Sequence, residues 1–158
     1  MPIQLKTIEQ VYQVTKPWGW EKWIQAGSDV YPFVLKQLLL KKGQKTSLQV
    51  HQFKSESILI LEGNGQLLTF NGFFDCQKHL ADEYTTTELD FFMNNLTTYE
   101  ITKGDVFDTP PGTIHRMIAI TDLLYIEAST TQLDDVIRLS DEQNRANGRI
   151  EIEHKGNK

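Results

Sequence analysis

Three residues close together in this sequence have the side chains to hold a divalent cation. Gln49 and His51 are two apart, and Glu56 follows five residues later. On an extended strand, side chains two apart project to the same side. An amide oxygen, an imidazole and a carboxylate need one more ligand to complete a site for a borderline divalent ion. A neutral amide, a neutral imidazole and one carboxylate leave such an ion with a formal charge of about +1. It keeps Lewis acidity and room for water or a ligand oxygen.

The elements that must place these groups read as strands. If 45–51 is extended, Lys45, Ser47, Gln49 and His51 share one face, while Thr46, Leu48 and Val50 share the other. A polar row beside an apolar one reads as the wall of a pocket, and it makes Lys45 and Ser47 candidates for contacting a ligand. In the next run, Glu56, Ile58, Ile60 and Glu62 fall on one face. Strand formers fill 31–40, 57–61, 66–70, 99–102, 114–120 and 123–129, separated by short turns at 41–43, 62–65, 103–105 and 109–112. Strand after strand with short loops predicts an antiparallel sandwich or barrel. Glu127 shares a face with Tyr125 and Ser129 in a strand otherwise rich in Leu and Ile, which makes it a candidate pocket carboxylate and proton-transfer base.

Three segments fall outside this pattern. Residues 1–15 predict an N-terminal arm or edge strand. Residues 71–98 predict an insertion, a hairpin with a short helix, covering the barrel or an interface. The polar tail, 146–158, is expected to fray. Asp134 to Arg138 predicts a last edge strand or turn. Trp18 and Trp20 predict either core packing or the lining of a sugar pocket. Cys76, His79 and Glu83 in the insertion match no standard metal spacing.

The 158 residues, 39% of them hydrophobic, suffice for one domain with one core. The net charge of −5 argues against nucleic acid as partner, and the absence of Lys/Arg clusters argues against a membrane surface. A single cysteine rules out an intrachain disulfide, which with the absence of an apolar leader or spanning run predicts a cytoplasmic protein.

The spacing Gly43-x5-Gln49-x-His51-x4-Glu56-x6-Gly63, followed by Gly104-x5-Pro110-x-Gly112-x2-His115, resembles the two motifs of the cupin superfamily. That resemblance implies an all-β fold, a single-domain cupin jelly-roll β-barrel with an insertion between two barrel strands. It also implies a metal bound by Gln49, His51, Glu56 and His115, with zinc first and cobalt, manganese, nickel or iron able to fill the same ligands. Glutamine at the first ligand position, with Lys16-Pro17-Trp18-Gly19, Pro110-x-Gly112-Thr113-Ile114-His115-Arg116 and Asp134-Asp135-Val136-Ile137-Arg138-x2-Asp141-x3-Arg145, is similar to the type II phosphomannose isomerases. The chain departs from that pattern at Gln143-Asn144, where the family has Tyr-Gly, and at Gln52 and Phe53, where further histidines are common.

This second resemblance implies interconversion of mannose 6-phosphate and fructose 6-phosphate through an enediol. A phosphorylated sugar needs cationic donors. Arg138 and Arg145 are the candidates the resemblance supplies, beside Lys45 and Ser47 from the ligand face. Lys45, Glu127 and Arg145 are the candidates for catalysis. A homodimer is the expected closed solution for a small barrel with free sheet edges. The alternative is a non-catalytic cupin that binds a sugar or a sugar nucleotide.

Overall fold

The computed structural model describes residues 2–155. Eleven strands form two antiparallel sheets: β1 (Tyr12–Lys16), β2 (Gly19–Gln25), β3 (Val34–Leu40), β4 (Leu48–Val50), β5 (Glu56–Glu62), β6 (Asn64–Thr69), β7 (Thr97–Thr102), β8 (Val106–Thr109), β9 (His115–Ala119), β10 (Leu123–Ser129) and β11 (Ile137–Ser140). One sheet runs β1-β2-β3-β10-β5-β8 and the other β11-β4-β9-β6-β7. Chain neighbours such as β3 and β4 lie in different sheets, so the two sheets face each other as a jelly roll.

The apolar core lies between the sheets. Leu38, Leu40, Ile58, Ile60, Leu123 and Tyr125 from one sheet meet Leu67, Ile101, Met117 and Ala119 from the other, with Trp18 beside them. The alternation in β3 and β5 shows why. Val34, Lys36, Leu38 and Leu40 are buried, as are Glu56, Ile58 and Ile60, and the residues between them are more exposed.

The segment 71–98 contains two short helices, α1 (Cys76–Leu80) and α2 (Thr86–Asn94), where the sequence predicted a hairpin with one. Each has a side-chain N-cap, Asp75 for α1 and Thr85 with Glu88 in a capping box for α2. Phe74, Cys76 and Phe92 pack with Leu48, Val50, Ile114 and Ile137 into a second apolar cluster. The insertion therefore covers the outer face of the five-stranded sheet, where Leu48 and Val50 point away from the lumen.

Two strands are shorter than expected. The strand predicted from Tyr31 starts at Val34, because Ser28 and Tyr31 close a turn through both backbone and hydroxyl bonds and Pro32 has no N–H to give a ladder. The run 45–51 is laddered only over Leu48–Val50. Lys45 opposes Ile118 and Gln49 opposes His115, so four steps on one side match three on the other. That extra residue is a bulge, and it inverts the alternation on the Lys45 side.

Residues 151–155 form α3 (Glu151–Lys155), which packs against β1. Residues 156–158 of the expected tail lie outside the described residues. No helix among the described residues is long and apolar enough to cross a membrane.

Candidate metal centre

His51, Glu56 and His115 converge at one end of the barrel, all three buried, with their ligand atoms within 4.8 Å of one another. Each comes from a strand end: His51 just beyond β4, Glu56 opening β5, His115 opening β9. The Gly112 N–H donates to the His51 carbonyl at 2.8 Å, which ties the Pro110–Gly112 turn to the end of β4. Gly112 has φ +77°, and a Cβ there would sit 2.3 Å from the Phe73 ring. This turn brings His115 across from Gln49, its partner in the β4–β9 pair.

Hydrogen bonds fix both imidazoles. His51 Nδ1 donates to the Asp135 carbonyl at 2.5 Å, and His115 Nδ1 donates to the Thr113 carbonyl at 2.9 Å. A carbonyl only accepts, so Nδ1 carries the proton and Nε2 presents its lone pair. His51 Nε2 is 3.3 Å from Glu56 Oε1, and His115 Nε2 is 3.5 Å from Glu56 Oε2. Burial depresses the His51 pKa although Glu56 opposes this, so the ring is neutral. His51 Nε2 is buried without a hydrogen-bond donor among the described residues. Two lone pairs facing two carboxylate oxygens repel one another unless a cation joins them. The donors thus fit a divalent ion, with second partners that orient them.

Glu56 is held ionised. Burial would raise its pKa, but the Lys54 ammonium keeps it well below the usual carboxylate range. Lys54 Nζ lies 2.6 Å from Glu56 Oε1 and is itself buried. Lys54 was not among the candidates from the sequence. The signal is its place two residues before Glu56, on the same side of an extended chain. Asp135, part of the tail motif in the sequence, gains its role only here. Its carboxylate accepts from the backbone N–H groups of Gln52, Phe53 and Lys54, bracing the loop that holds His51.

Gln49 lies beside the triad. Its Nε2 is 3.4 Å from His115 Nε2, and its Oε1 accepts from Ser47 Oγ at 2.7 Å. Exchanging the amide ends turns the oxygen toward the histidines and leaves Nε2 to donate to Ser47, so the amide can serve as a fourth ligand. Lys45 does not join this face. The bulge turns it outward, where Nζ pairs with Glu142 at 3.1 Å, and its side chain is 40% exposed. Thr46 lines the lumen instead.

A cavity of about 110 Å³ runs from this centre through the barrel. Ser47, Gln49, Glu56, His115 and Glu127 line it, with Arg138 and Arg145 toward the tail. Burial and the nearby Glu56 raise the Glu127 pKa to about 7, although Lys54 and Lys36 pull it down. Glu21, also in the wall, has its pKa lowered to about 2; burial would raise it, but Lys36 at 2.9 Å and Lys16 at 3.4 Å prevail. Arg145 pairs with Asp141 through two nitrogens at 3.0 and 3.1 Å and with Glu153 at 3.2 Å. Arg138 donates to the Gly148 carbonyl at 2.9 Å. Trp18 packs in the core and also lines the cavity.

No family model and no curated protein matches the sequence. Solved structures do share the fold. CapF of Staphylococcus aureus, a capsular polysaccharide assembling protein, aligns with a TM-score of 0.59 and 17% identity, over 82% of this chain and 31% of its own. Ectoine synthase from P. lautus aligns with a TM-score of 0.58 and 15% identity, over 82% of this chain and 78% of that one. KdgF from Halomonas sp. aligns with a TM-score of 0.58 and 14% identity, over 85% of this chain and 98% of that one. The chain spans about a third of the length of CapF.

Proposed function

From the cupin fold it shares with these proteins, we propose that this protein is a metal-dependent sugar-phosphate isomerase that interconverts mannose 6-phosphate and fructose 6-phosphate. The observation that carries this reading is Glu127: a carboxyl with a pKa of about 7 lines the same cavity as Glu56 and His115 of the metal cluster. Aldose–ketose isomerisation needs one base that takes a proton from one carbon and returns it to the next, and a pKa near the working pH suits both transfers. Glu127 takes the proton from C2 of the aldose and delivers it to C1. The hydroxyl proton moves from O2 to O1, so the enediol collapses to the ketose.

His51, Glu56, His115 and Gln49 would hold the metal, with zinc first among the candidates. Bound there, it would polarise the sugar oxygens and stabilise the developing negative charge. Ser47 supplies a hydroxyl to orient the sugar, and Arg138 and Arg145 supply positive charge for the phosphate. Lys45 has no part in the reaction, since it faces outward.

A second reading, a non-catalytic cupin that binds a sugar or sugar nucleotide, is favoured by the tail: Gln143-Asn144 stand before Arg145, and Arg145 is already paired with Asp141 and Glu153. One experiment separates the two. The purified protein is loaded in turn with zinc, cobalt, manganese, nickel and iron, and fructose 6-phosphate formation from mannose 6-phosphate is followed by a coupled assay. Turnover that disappears in Glu127→Gln supports the isomerase. Sugar binding without turnover under every metal supports the binding module.

A further inference from the structure

The cation cluster at the tail end of the cavity has a carboxylate already seated in it. Glu153 of α3 places Oε2 2.7 Å from Lys16 Nζ and Oε1 3.2 Å from Arg145 Nη1. All three side chains are at most 10% exposed. Lys16 also meets Glu21, and Arg145 also meets Asp141. Lys36 and Arg138 line the same end. Without Glu153, two lysines and two arginines face Glu21 and Asp141, which leaves two positive charges in a largely buried space. A phosphomonoester carries about −1.5 to −2 at neutral pH, so it neutralises the same cluster more fully than one carboxylate does.

Among the described residues, His154 also holds the segment that carries Glu153. His154 stacks on Tyr12 at 6.1 Å between ring centres, hydrogen-bonds its hydroxyl at 3.0 Å, and meets Trp23 edge-on at 5.5 Å. Glu151 and Ile152 of α3 are exposed, Ile152 at 78%. A five-residue helix has little stability of its own, so α3 keeps its place through the side-chain contacts of Glu153 and His154.

We propose that Glu153 is an internal stand-in for a ligand phosphate: α3 closes the tail end of the cavity by placing this carboxylate between Lys16 and Arg145, and a phosphorylated ligand enters by displacing it. Docking of α3 and phosphate binding then exclude each other. This inference rests on the site taking a phosphorylated ligand and not on that ligand being isomerised.

Titration of the full chain with inorganic phosphate, and separately with fructose 6-phosphate, tests it. Affinity is read by calorimetry and the position of α3 by Trp23 emission, with Trp23→Phe as the control for the other two indoles. Wild-type emission changes as phosphate binds, Glu153→Gln binds phosphate about tenfold tighter, and Lys16→Met in that background abolishes the gain. His154→Ala, which loosens α3 and leaves the cations in place, also tightens binding and keeps the test decisive if Glu153→Gln misfolds. Equal affinity in wild type and both tail variants overturns the proposal, as does phosphate binding that leaves Trp23 emission unmoved. Turnover is measured beside it. Intact turnover with unchanged phosphate affinity rejects the tail device alone, while tightened binding with no turnover rejects the isomerase alone.

Discussion

His51 Nε2 faces Glu56 Oε1 across 3.3 Å, with the imidazole proton committed to the Asp135 carbonyl on the other side of the ring. The pair is built for a third participant between them, and the backbone bonds that hold it do not depend on that participant. Most of the geometry is set by loop 51–54, which Asp135 braces, and by the Gly112 turn.

A preformed centre couples metal to stability. Zinc at about a hundred times its Kd adds about 2.7 kcal/mol, which corresponds to a rise of about 5 to 10 °C in Tm for a chain of this length. Differential scanning calorimetry with and without zinc reads it. His115→Ala abolishes the zinc-dependent shift.

Replacing Gln49 by His retains the metal and reduces isomerisation by about 10- to 100-fold. A neutral amide beside His115 leaves the ion more electrophilic than a third imidazole does, and Ser47 loses its partner. Metal analysis and kcat on the same preparation separate the two effects. Unchanged kcat contradicts a role for the amide.

For Glu127 the pH dependence has a definite sign. The carboxylate form accepts the proton, so kcat rises with pH as Glu127 ionises, at a pH below the value of about 7 that holds without metal because a bound cation favours the carboxylate; Glu127→Gln lowers kcat by about a hundred- to ten-thousand-fold. Stability of the metal-free protein moves the other way. The folded state holds this proton up to about pH 7 and the unfolded chain releases it near 4.5, so the folded state binds more protons within that window. Stability falls as pH rises across it. Urea denaturation at several pH values shows this fall in wild type, and the Gln variant lacks it.

Glu21 behaves oppositely. Its carboxyl is held at about 2 against an ordinary 4.5, so the stabilisation is complete above about pH 4.5 and is lost as pH falls toward 2. Glu21→Gln leaves Lys36 and Lys16 buried with a partner removed and destabilises by roughly 3–5 kcal/mol. Urea unfolding at pH 7 measures the loss.

The contrast between Lys45 and Glu127 shows how far the sequence reaches. Both were placed by strand alternation. Glu127 sits in the middle of β10, paired in register on both sides, and alternation holds there. Lys45 lies across a bulge from Gln49, and one extra residue reverses its side. Nothing in residue types announces that bulge. The His51–Glu56–His115 group was legible because each member ends a strand beside a turn whose glycines and prolines are visible in the sequence. The buried ions Lys16, Glu21, Lys36 and Lys54 were not, because lysine and glutamate are ordinarily surface residues and their burial depends on pairings between separate segments. The docking of α3 escaped for the same reason. Its polar sequence reads as solvated until Lys16, Tyr12 and Trp23 are seen to meet it.

The most direct test of the account is an equilibrium titration of the metal-free protein with cobalt, followed by its visible absorption. The account predicts saturation at one equivalent, displacement by zinc, and no saturable binding in His51→Ala or Glu56→Gln. A wild-type protein that takes up no ion, or that binds it unchanged in both variants, contradicts the metal centre on which the proposed chemistry depends.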